Sequence, residues 1–376
     1  MPEALDGEHL ALRERALEFV AAMRAQKRTT SPDEDDRVDG DDARALIALA
    51  RRLGLHGMTQ PKAFGGSEAG ALALTVVRET LASANLPGAR HAFGPGPGVL
   101  AGAEGVLKSD YLEPMLRGEK RSAFAFTEAR DAPRHTQARS EGEQLVIDGE
   151  KAYVTGGAEA DFLNVLVEVD GGARAMVVVD RDAHGVEIAE RFRSMEGGQH
   201  ARFRFHGVRV PRTHLLGTPG EGIPRAMRQI GDTRLLLAAE ACGLMLWVDD
   251  YVARHLLAPH PSGEPLGARE GVRLRYADLR IDIFTARGAL YRAARIADSG
   301  ANAMNEVVIA KVYCTEALGR VVDTAIQLVG GRALDAGHPL ERLYRRVRSL
   351  RIAEGASDVL RLNLARGRLD LNKGTL

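Results

Sequence analysis

The middle of this chain of 376 residues contains two runs of β-prone residues, LVIDGEKAYVT at Leu145–Thr155 and FLNVLVEV at Phe162–Val169. Around them, apolar residues alternate with polar ones or form short apolar runs that glycine and aspartate separate. Short strands with a turn about every 8 to 12 residues are typical of an antiparallel barrel or sandwich. We therefore predict a small antiparallel β-barrel or β-sandwich domain over residues 122–216.

Helical periodicity flanks this β segment on both sides. Before it, apolar residues recur at spacings of three and four, which predicts an N-terminal helical domain over residues 1–121. After it, residues 217–376 contain a short arginine-rich helix, a last helix from about Ser357, and three long helical patterns. These three cover approximately Ile223–Leu257, Ala268–Ala297 and Asn302–Val329. Long helices joined by short loops pack well as an antiparallel bundle, so we predict a C-terminal four-helix bundle domain.

The order helical, β, helical defines an α+β fold. A βαβ alternation and a GxGxxG motif after a strand are both absent from the sequence. We therefore do not expect a Rossmann dinucleotide-binding domain.

The composition narrows the function classes. Lysine plus arginine and aspartate plus glutamate each number 51, and a formal net charge of zero argues against a general nucleic-acid-binding protein. No apolar run approaches the roughly 18 residues of a membrane span, and Met1–Asp6 lacks signal-peptide character, so we expect a cytoplasmic protein without a membrane span. Cys242 and Cys314 lie in apolar helical patterns and are expected to be buried, and no pattern predicts a metal site. The acidic run Ser31–Asp42 is expected to be a solvated loop or a frayed helix start.

Glu354 is a candidate catalytic residue, in the segment RIAEGASDVL at Arg351–Leu360. Apolar neighbours disfavour the charged form of a carboxyl group and raise its pKa toward the range of a general base, whereas a nearby helix N-terminus lowers it. Spacing alone does not decide between these effects. The alternative is that Glu354 is an ordinary surface acid in a loop.

Two further segments have both a structural and a functional interpretation. Gln327 is followed by Gly330, Gly331 and an arginine, a pattern that serves a helix C-terminus or the approach of backbone to a phosphate or ribose. In the run that begins at Tyr153, an aromatic ring and the hydroxyl of Thr155 suit a flat ring ligand, but both are also common strand residues.

Taken together, these segments resemble the acyl-CoA dehydrogenase family over essentially the whole chain. Leu53–Leu55 with Pro61–Gly66 is similar to the family's LGL…P…GG signature, and Tyr111–Glu119 with Phe126-Thr127-Glu128 is similar to its approach to the first β strand. HGVRVPRTHLLG at His206–Gly217 is similar to its link into the C-terminal bundle. Each motif is weak alone, but their common order is specific.

The resemblance implies a flavoprotein with FAD between the β domain and the C-terminal bundle. Glu354 falls on the family's catalytic base, which removes the proton α to a thioester carbonyl while the β hydrogen leaves as hydride to the flavin, giving a trans-2-enoyl thioester. Arg234 and Gly355 fall on positions near the substrate. The positions implied to contact FAD are Phe126, Thr127, Tyr153, Thr155, Gln327, Gly330, Gly331, Ser357 and Asp358.

The resemblance also implies partners. It predicts an acyl-CoA or acyl-carrier thioester as substrate, and an electron-transfer flavoprotein or another protein as electron acceptor. It further predicts a homo-oligomer, a dimer or tetramer, because the Gln327–Gly331 loop of the family reaches FAD on a neighbouring subunit. A hetero-oligomer is an alternative.

Four departures from the family pattern bear on the cofactor. The loop after Glu128 reads Ala129–Arg134 and is shorter than the family's glycine-rich loop, and Ala258–Gly263 has prolines where the family carries an arginine for the FAD diphosphate. Glu270 replaces a glutamine and Ala356 replaces a threonine. Two alternatives to the dehydrogenase therefore stay open. One is a flavin-poor or inactive partner subunit of a mixed oligomer, and the other is a flavin-dependent oxidase or hydroxylase on the same fold.

Overall fold

The computed structural model describes residues 4–25, 38 and 40–374. Most of the acidic run predicted as a loop, residues 31–37 and 39, lies outside the described residues, and Gly40 begins a helix. The described helices are α1 (Gly7–Ala25), α2 (Gly40–Arg52), α3 (Ala71–Ala82), α4 (Glu113–Arg117), α5 (Gly222–Leu257), α6 (Glu270–Asp298), α7 (Met304–Val329), α8 (Pro339–Arg348) and α9 (Ser357–Leu369). The strands are β1 (Ser122–Ala125), β2 (Gln137–Glu141), β3 (Gln144–Thr155), β4 (Phe162–Val169), β5 (Arg174–Asp180), β6 (Val186–Arg193), β7 (Gln199–Pro211) and β8 (Leu215–Leu216). The predicted α+β order of helices, sheet and helices is confirmed.

The described chain forms two compact units. One contains residues 59–68 and 94–230, and the other contains the remaining described residues, including α1 to α3 and most of the C-terminal helices. Their boundaries differ from those of the three domains that the periodicity predicts, 1–121, 122–216 and 217–376. That division stays a prediction.

The sheet is mixed, whereas the sequence predicted an antiparallel one. Its strand order is β6-β7-β3-β2-β4-β5-β8, and β1 also pairs with β4. β1 and β2 are short and lie one after the other along the same edge of β4, both parallel to it. The remaining pairings are antiparallel. β4 pairs with other strands on both edges, and its side chains are almost all buried, which is typical of a strand covered on both faces.

Alternate residues of β4 and β5 contribute to two separate cores in this unit. Leu163, Val165 and Val177 pack among the side chains that the sheet buries on one face. Phe162, Leu166 and Met176 pack with apolar residues that precede β1, including Leu107, Tyr111 and Leu116. The alternation of side chains along β4 and β5 therefore determines which of the two cores each residue joins, as expected for strands with two apolar faces.

The other unit is helical. Its largest core joins buried residues of α5 to α8, and α1, α2 and α3 contribute a second core. Cys242 on α5 and Cys314 on α7 are both buried and free, as predicted. No helix among the described residues has both the length and the apolar content that a membrane crossing requires.

Candidate active site

Glu354 lies in the tight turn between α8 and α9, and its backbone is in the left-handed region with a φ of 54°. Residues other than glycine adopt this conformation at a cost of about 1–3 kcal/mol and keep it only where the surroundings enforce it. The next residue, Gly355, has a φ of 106°, which a side chain would strain. The side chain of Glu354 is neither exposed nor fully buried.

Two cationic side chains hold the backbone of this turn. Arg234 on α5 donates a hydrogen bond from Nε to the carbonyl oxygen of Glu354 over 2.9 Å. Lys311 on α7 donates from Nζ to the carbonyl oxygen of Gly355, also over 2.9 Å. Both carbonyls of the turn therefore have a charged donor, and hydrogen bonds of this kind are stronger than neutral ones.

The same three groups affect one another's ionisation. Burial raises the pKa of the Glu354 carboxyl group, and the positive charges of Arg234 and Lys311 oppose that shift. Burial lowers the pKa of Lys311 to about 8, and the charge of Arg234 lowers it further, while Glu354 acts in the opposite sense. Burial also lowers the pKa of Arg234, and Glu354 again opposes the shift. Desolvation is therefore a larger effect on the pKa of Glu354 than the charges of Arg234 and Lys311.

Ser357 and Asp358 begin α9, directly after this turn. Ser357 is buried and its Oγ donates to the carbonyl oxygen of Arg351 over 3.3 Å, whereas Asp358 is exposed and pairs with Arg361 at 3.1 Å. Ala356 is the N-cap residue of α9 and has no side-chain oxygen to accept from the first amides of the helix. The substitution of Ala356 for the family's threonine thus removes one capping group.

The predicted loop at the end of α7 is open. Gln327 and Gly331 are exposed, and no atom lies within 4 Å of the position that a Cβ would take at Gly330 or Gly331. Arg332 is exposed as well. The segment is therefore accessible. Among the residues that the structure describes, no hydrogen bond joins it to Glu354.

In the sheet-containing unit, Phe126 and Thr127 follow β1. The ring of Phe126 stacks on Phe124 with centroids 5.5 Å apart, and Thr127 is exposed. The carbonyl oxygen of Phe126 accepts from Nζ of Lys151 over 3.2 Å, and that of Thr127 accepts from the backbone amide of Ala152 over 2.9 Å. Two hydrogen bonds to β3 therefore position the Phe126-Thr127 backbone.

Lys151 is a residue that the sequence interpretation missed. It is completely buried, its Nζ lies 2.5 Å from Oε1 of Glu128, and burial lowers its pKa to about 8. Oε2 of Glu128 accepts from Thr136 Oγ1 over 2.8 Å, so both ends of the shortened loop are tied to this carboxylate. The alternation of side chains along residues 145–155 could have identified Lys151 from the sequence, because it places this lysine on an otherwise apolar face.

Tyr153 and Thr155 lie at the end of β3. Tyr153 has a φ of 55° and is 67% exposed, and its ring meets Phe192 edge to face with centroids 5.4 Å apart. Thr155 is exposed, and its Oγ1 lies 3.2 Å from Nδ1 of His200. An aromatic ring and a hydroxyl are thus presented side by side, with a histidine behind them that the sequence interpretation did not single out.

The segment Ala258–Gly263 has prolines where the resemblance implies an arginine, and it contains an internal hydrogen bond. Nδ1 of His260 lies 2.8 Å from Oγ of Ser262, and Arg254 pairs with Asp250 at 2.9 Å. Pro259 is exposed and carries no charge or donor. Residues 4–25, 38 and 40–374 contain no cluster of three or more His, Cys, Asp or Glu side chains that could hold a metal ion.

Sequence models of one protein family match most of this chain. The model described as "Acyl-CoA dehydrogenase, N-terminal domain" matches residues 6–119, and "Acyl-CoA dehydrogenase, C-terminal domain" matches residues 220–369. The chain belongs to the acyl-CoA dehydrogenase family. Members of this family are FAD-dependent oxidoreductases that act on CH–CH bonds.

Curated relatives match the chain at nearly full length. It is 28% identical to a 3-(aryl)acrylate reductase of Clostridium sporogenes, covering 95% of this chain and 97% of the relative. It is also 28% identical to a cyclohexane-1-carbonyl-CoA dehydrogenase of Geobacter metallireducens, covering 94% of each chain. Among solved structures, a probable acyl-CoA dehydrogenase of Mycobacterium abscessus has a TM-score of 0.81 and 25% identity, covering 96% of this chain and 98% of that one.

The residues at the family's FAD positions fit the two ends of that cofactor unequally. The exposed ring of Tyr153 and the exposed hydroxyls of Thr127 and Thr155 suit a flat ring with polar edges. The open glycines after Gln327 leave room for a nucleotide, and Arg332 supplies one positive charge beside them. Relative to the pattern that the resemblance implies, the diphosphate end lacks one cation, because Pro259 is neutral, and gains one negative charge at Glu270. The residues that the resemblance implies for FAD are therefore better suited to its flavin ring than to its diphosphate.

Proposed function

We propose that this protein catalyses the α,β-dehydrogenation of an acyl thioester, acyl-CoA or acyl-carrier protein, with FAD as cofactor and Glu354 as the base. The observation that carries the proposal is the partly buried carboxyl group of Glu354, which is held in a strained turn whose two carbonyls accept from Arg234 and Lys311. A general base needs a raised carboxyl pKa and a defined position. Burial shifts the pKa of Glu354 upward, and the two backbone hydrogen bonds hold its turn in place.

In the proposed reaction, the carboxylate of Glu354 takes the proton from the carbon α to the thioester carbonyl. The electron pair of that C–H bond forms the new α,β double bond as the β hydrogen leaves. Bound FAD supplies the acceptor for the β hydrogen, which departs as hydride. The substrate thus loses one proton and one hydride, and the product is a trans-2-enoyl thioester.

The other proposed residues bind or orient. Arg234 and Lys311 fix the two peptide groups that flank Gly355, directly after Glu354, and stabilise the carboxylate by their charge. Gly355 belongs to the same turn and would lie beside the substrate. Phe126, Thr127, Tyr153 and Thr155 would contact the flavin ring. Gln327, Gly330, Gly331, Ser357 and Asp358 would contact the remaining FAD groups.

Reoxidation requires an electron acceptor, for which we propose an electron-transfer flavoprotein. We also propose self-association through α6, which exposes the apolar residues Leu274, Ile281 and Phe284 at helical spacing on one face. The exposed fraction of Phe284 is 72%, an unusual value for an aromatic side chain in a well-packed helix. A second copy of the chain would cover this stripe.

The proposal is tested by anaerobic titration of the FAD-loaded protein with saturated acyl-CoA thioesters of different chain length. We expect the flavin absorbance to bleach with at least one thioester. Glu354→Gln should slow bleaching by about 100-fold or more, because general-base catalysis contributes roughly 10²–10⁴ in rate. The matched control is Asp370→Asn, which neutralises an exposed acid at the end of α9. Bleaching of Glu354→Gln at the unmodified rate would contradict the proposal.

The substitutions at Pro259 and Glu270 favour a second candidate, a flavin-poor subunit that assembles with an active homologue. A visible spectrum separates the two. Protein that stays colourless after incubation with excess FAD supports the partner subunit and contradicts the dehydrogenase.

A further inference from the structure

A row of three side chains crosses the end of the sheet beside Tyr153. Thr155 on β3 is paired in register with His200 on β7, and His200 is paired with Phe192 on β6. Residues directly opposite each other on neighbouring strands share one face of a sheet, so the three side chains are adjacent. The rings of Phe192 and His200 are stacked with centroids 5.3 Å apart and an interplanar angle of 19°. The imidazole is therefore held in one plane, with Nδ1 toward Thr155.

The other ring nitrogen of His200 faces a hydroxyl whose hydrogen is already committed. Nε2 of His200 lies 3.1 Å from Oγ of Ser194. That Oγ donates to Oε1 of Glu196 over 2.6 Å, with the carbonyl oxygen of Gly198 at 3.1 Å as a further acceptor. A carboxylate and a carbonyl can only accept hydrogen bonds, so the single Ser194 hydrogen points to one of them. The contact with His200 is therefore made by an Nε2–H that donates to Ser194.

When His200 is neutral, this assignment determines the role of Thr155. A neutral imidazole with its hydrogen on Nε2 has only a lone pair on Nδ1. The 3.2 Å contact between Nδ1 and Thr155 is then a hydrogen bond that the threonine hydroxyl donates. Its hydrogen is used, and the outward side of Thr155 Oγ1 carries lone pairs alone.

Gly198 leaves the space that this chain of hydrogen bonds needs. A Cβ at this position would lie 3.0 Å from Ser194 Oγ, 3.1 Å from Glu196 Oε1 and 3.2 Å from His200 Nε2. Each of these distances is tighter than an ordinary contact, so a side chain would displace all three groups. The second oxygen of Glu196, Oε2, is buried and has no hydrogen-bond partner among the described residues. The carboxylate is thus placed for Ser194 rather than for solvent.

We propose that His200 is a positioning residue that makes the Thr155 hydroxyl a hydrogen-bond acceptor, so that this face of the sheet binds the N–H group of a flat heteroaromatic ligand. The identification of this ligand as a flavin rests on the proposed function. Reduction of a flavin adds an N–H to a ring nitrogen that is an acceptor in the oxidised form. An acceptor at Thr155 then favours the reduced state of the ring. Ser194, Glu196 and His200 act through Thr155 and do not touch the ligand.

The hydrogen-bond assignment is tested on the protein without any ligand. Long-range ¹H–¹⁵N spectra of protein labelled on its 11 histidines distinguish the two neutral tautomers, at about pH 8.5. The His200 signal is the one that disappears in His200→Asn. We expect the tautomer with hydrogen on Nε2, and a gain of the other tautomer in Ser194→Ala, which loses the acceptor. Hydrogen on Nδ1 in the unmodified protein overturns the proposal.

The consequence for the flavin is tested by the midpoint potential of the FAD-loaded protein. His200→Leu releases the Thr155 hydrogen toward the ring and should shift the potential to a more negative value. His200→Asn places an oxygen acceptor at the position of Nδ1 and should retain the unmodified potential. An unchanged or more positive potential in His200→Leu overturns the proposal. If FAD does not bind, the proposed function fails, while the tautomer experiment still decides the role of His200.

Discussion

Lys311 donates a hydrogen bond from Nζ to the carbonyl oxygen of Gly355, the residue that follows Glu354, over 2.9 Å. Lys311 lies on α7 and is completely buried. Burying an ammonium group is unfavourable unless it is paired, and here its partner is a backbone carbonyl in the turn that carries the proposed base. The lysine therefore links the interior of the helical unit to the position and the charge of Glu354.

Removal of this charge should change the pH dependence of the reaction. The positive charge of Lys311 lowers the pKa of Glu354, in opposition to the larger effect of burial. Lys311→Met removes that opposition, so the pKa of Glu354 rises further and the acid limb of the kcat/KM profile moves to higher pH. The loss of activity is then larger at about pH 6 than at about pH 8. Lys151→Met removes a buried lysine of the other unit, and its acid limb should stay in place. A limb that does not move in Lys311→Met would contradict this electrostatic role.

Replacing Pro259 with a positively charged residue should improve the retention of FAD. The residue is exposed in a segment where the family carries an arginine for the diphosphate, and an arginine forms strong hydrogen bonds to phosphate oxygens. Pro259→Arg should raise the FAD-to-protein ratio after gel filtration and lower the dissociation constant by about 10-fold or more, because one hydrogen bond to a charged group contributes about 1.5–3 kcal/mol. Pro259→Gln is the matched control because it restores a long side chain without the charge. Equal retention in both variants would show that charge is not the missing component.

The ion pair between Glu79 on α3 and Arg287 on α6 should contribute strongly to stability. Nε and one terminal nitrogen of Arg287 donate to the two carboxylate oxygens over 2.6 and 2.9 Å, and Tyr291 donates to the same carboxylate over 2.6 Å. Both partners are buried, so Arg287→Met leaves a carboxylate without its cation, at a cost of about 3–5 kcal/mol. Chemical denaturation monitored by circular dichroism measures this loss.

The control for that experiment is an ion pair between helices at the surface. Arg320 on α7 pairs with Asp282 on α6 at 2.6 Å, but its side chain is half exposed. Arg320→Met should lower the free energy of unfolding by less than about 1 kcal/mol. Similar losses in the two variants would indicate that burial does not determine the strength of the Glu79–Arg287 pair.

The exposed stripe of α6 should control self-association. Phe284→Asp places a charge in the apolar stripe and should shift the protein to a smaller oligomer in analytical ultracentrifugation. Leu257→Asp is the control, because Leu257 is 75% exposed at the end of α5 and lies outside the stripe. An unmodified protein that sediments as a monomer, or a Phe284→Asp variant with unchanged mass, would exclude this interface.

Local patterns in the sequence were sufficient for the order and type of the elements. The three long helices were predicted at about 223–257, 268–297 and 302–329, and the structure has them at Gly222–Leu257, Glu270–Asp298 and Met304–Val329. Apolar residues at spacings of three and four specify a buried helix face directly, so their boundaries follow from neighbouring residues. The resemblance to the acyl-CoA dehydrogenase family rested on motifs of the same local kind.

The direction of strand pairing and the partners of buried polar groups depended on contacts between distant segments. The parallel pairing of β1 and β2 with β4, the donation from Lys311 to Gly355 and the contact between His200 and Thr155 each join residues that are far apart in the chain. The type of a residue determines which hydrogen bonds it can donate or accept and how much apolar surface it can bury, and the sequence alone provides this information. Which partner it meets, and whether burial or a neighbouring charge has the larger effect on its pKa, follows only from packing, because both effects depend on distances and solvent access that the folded chain creates.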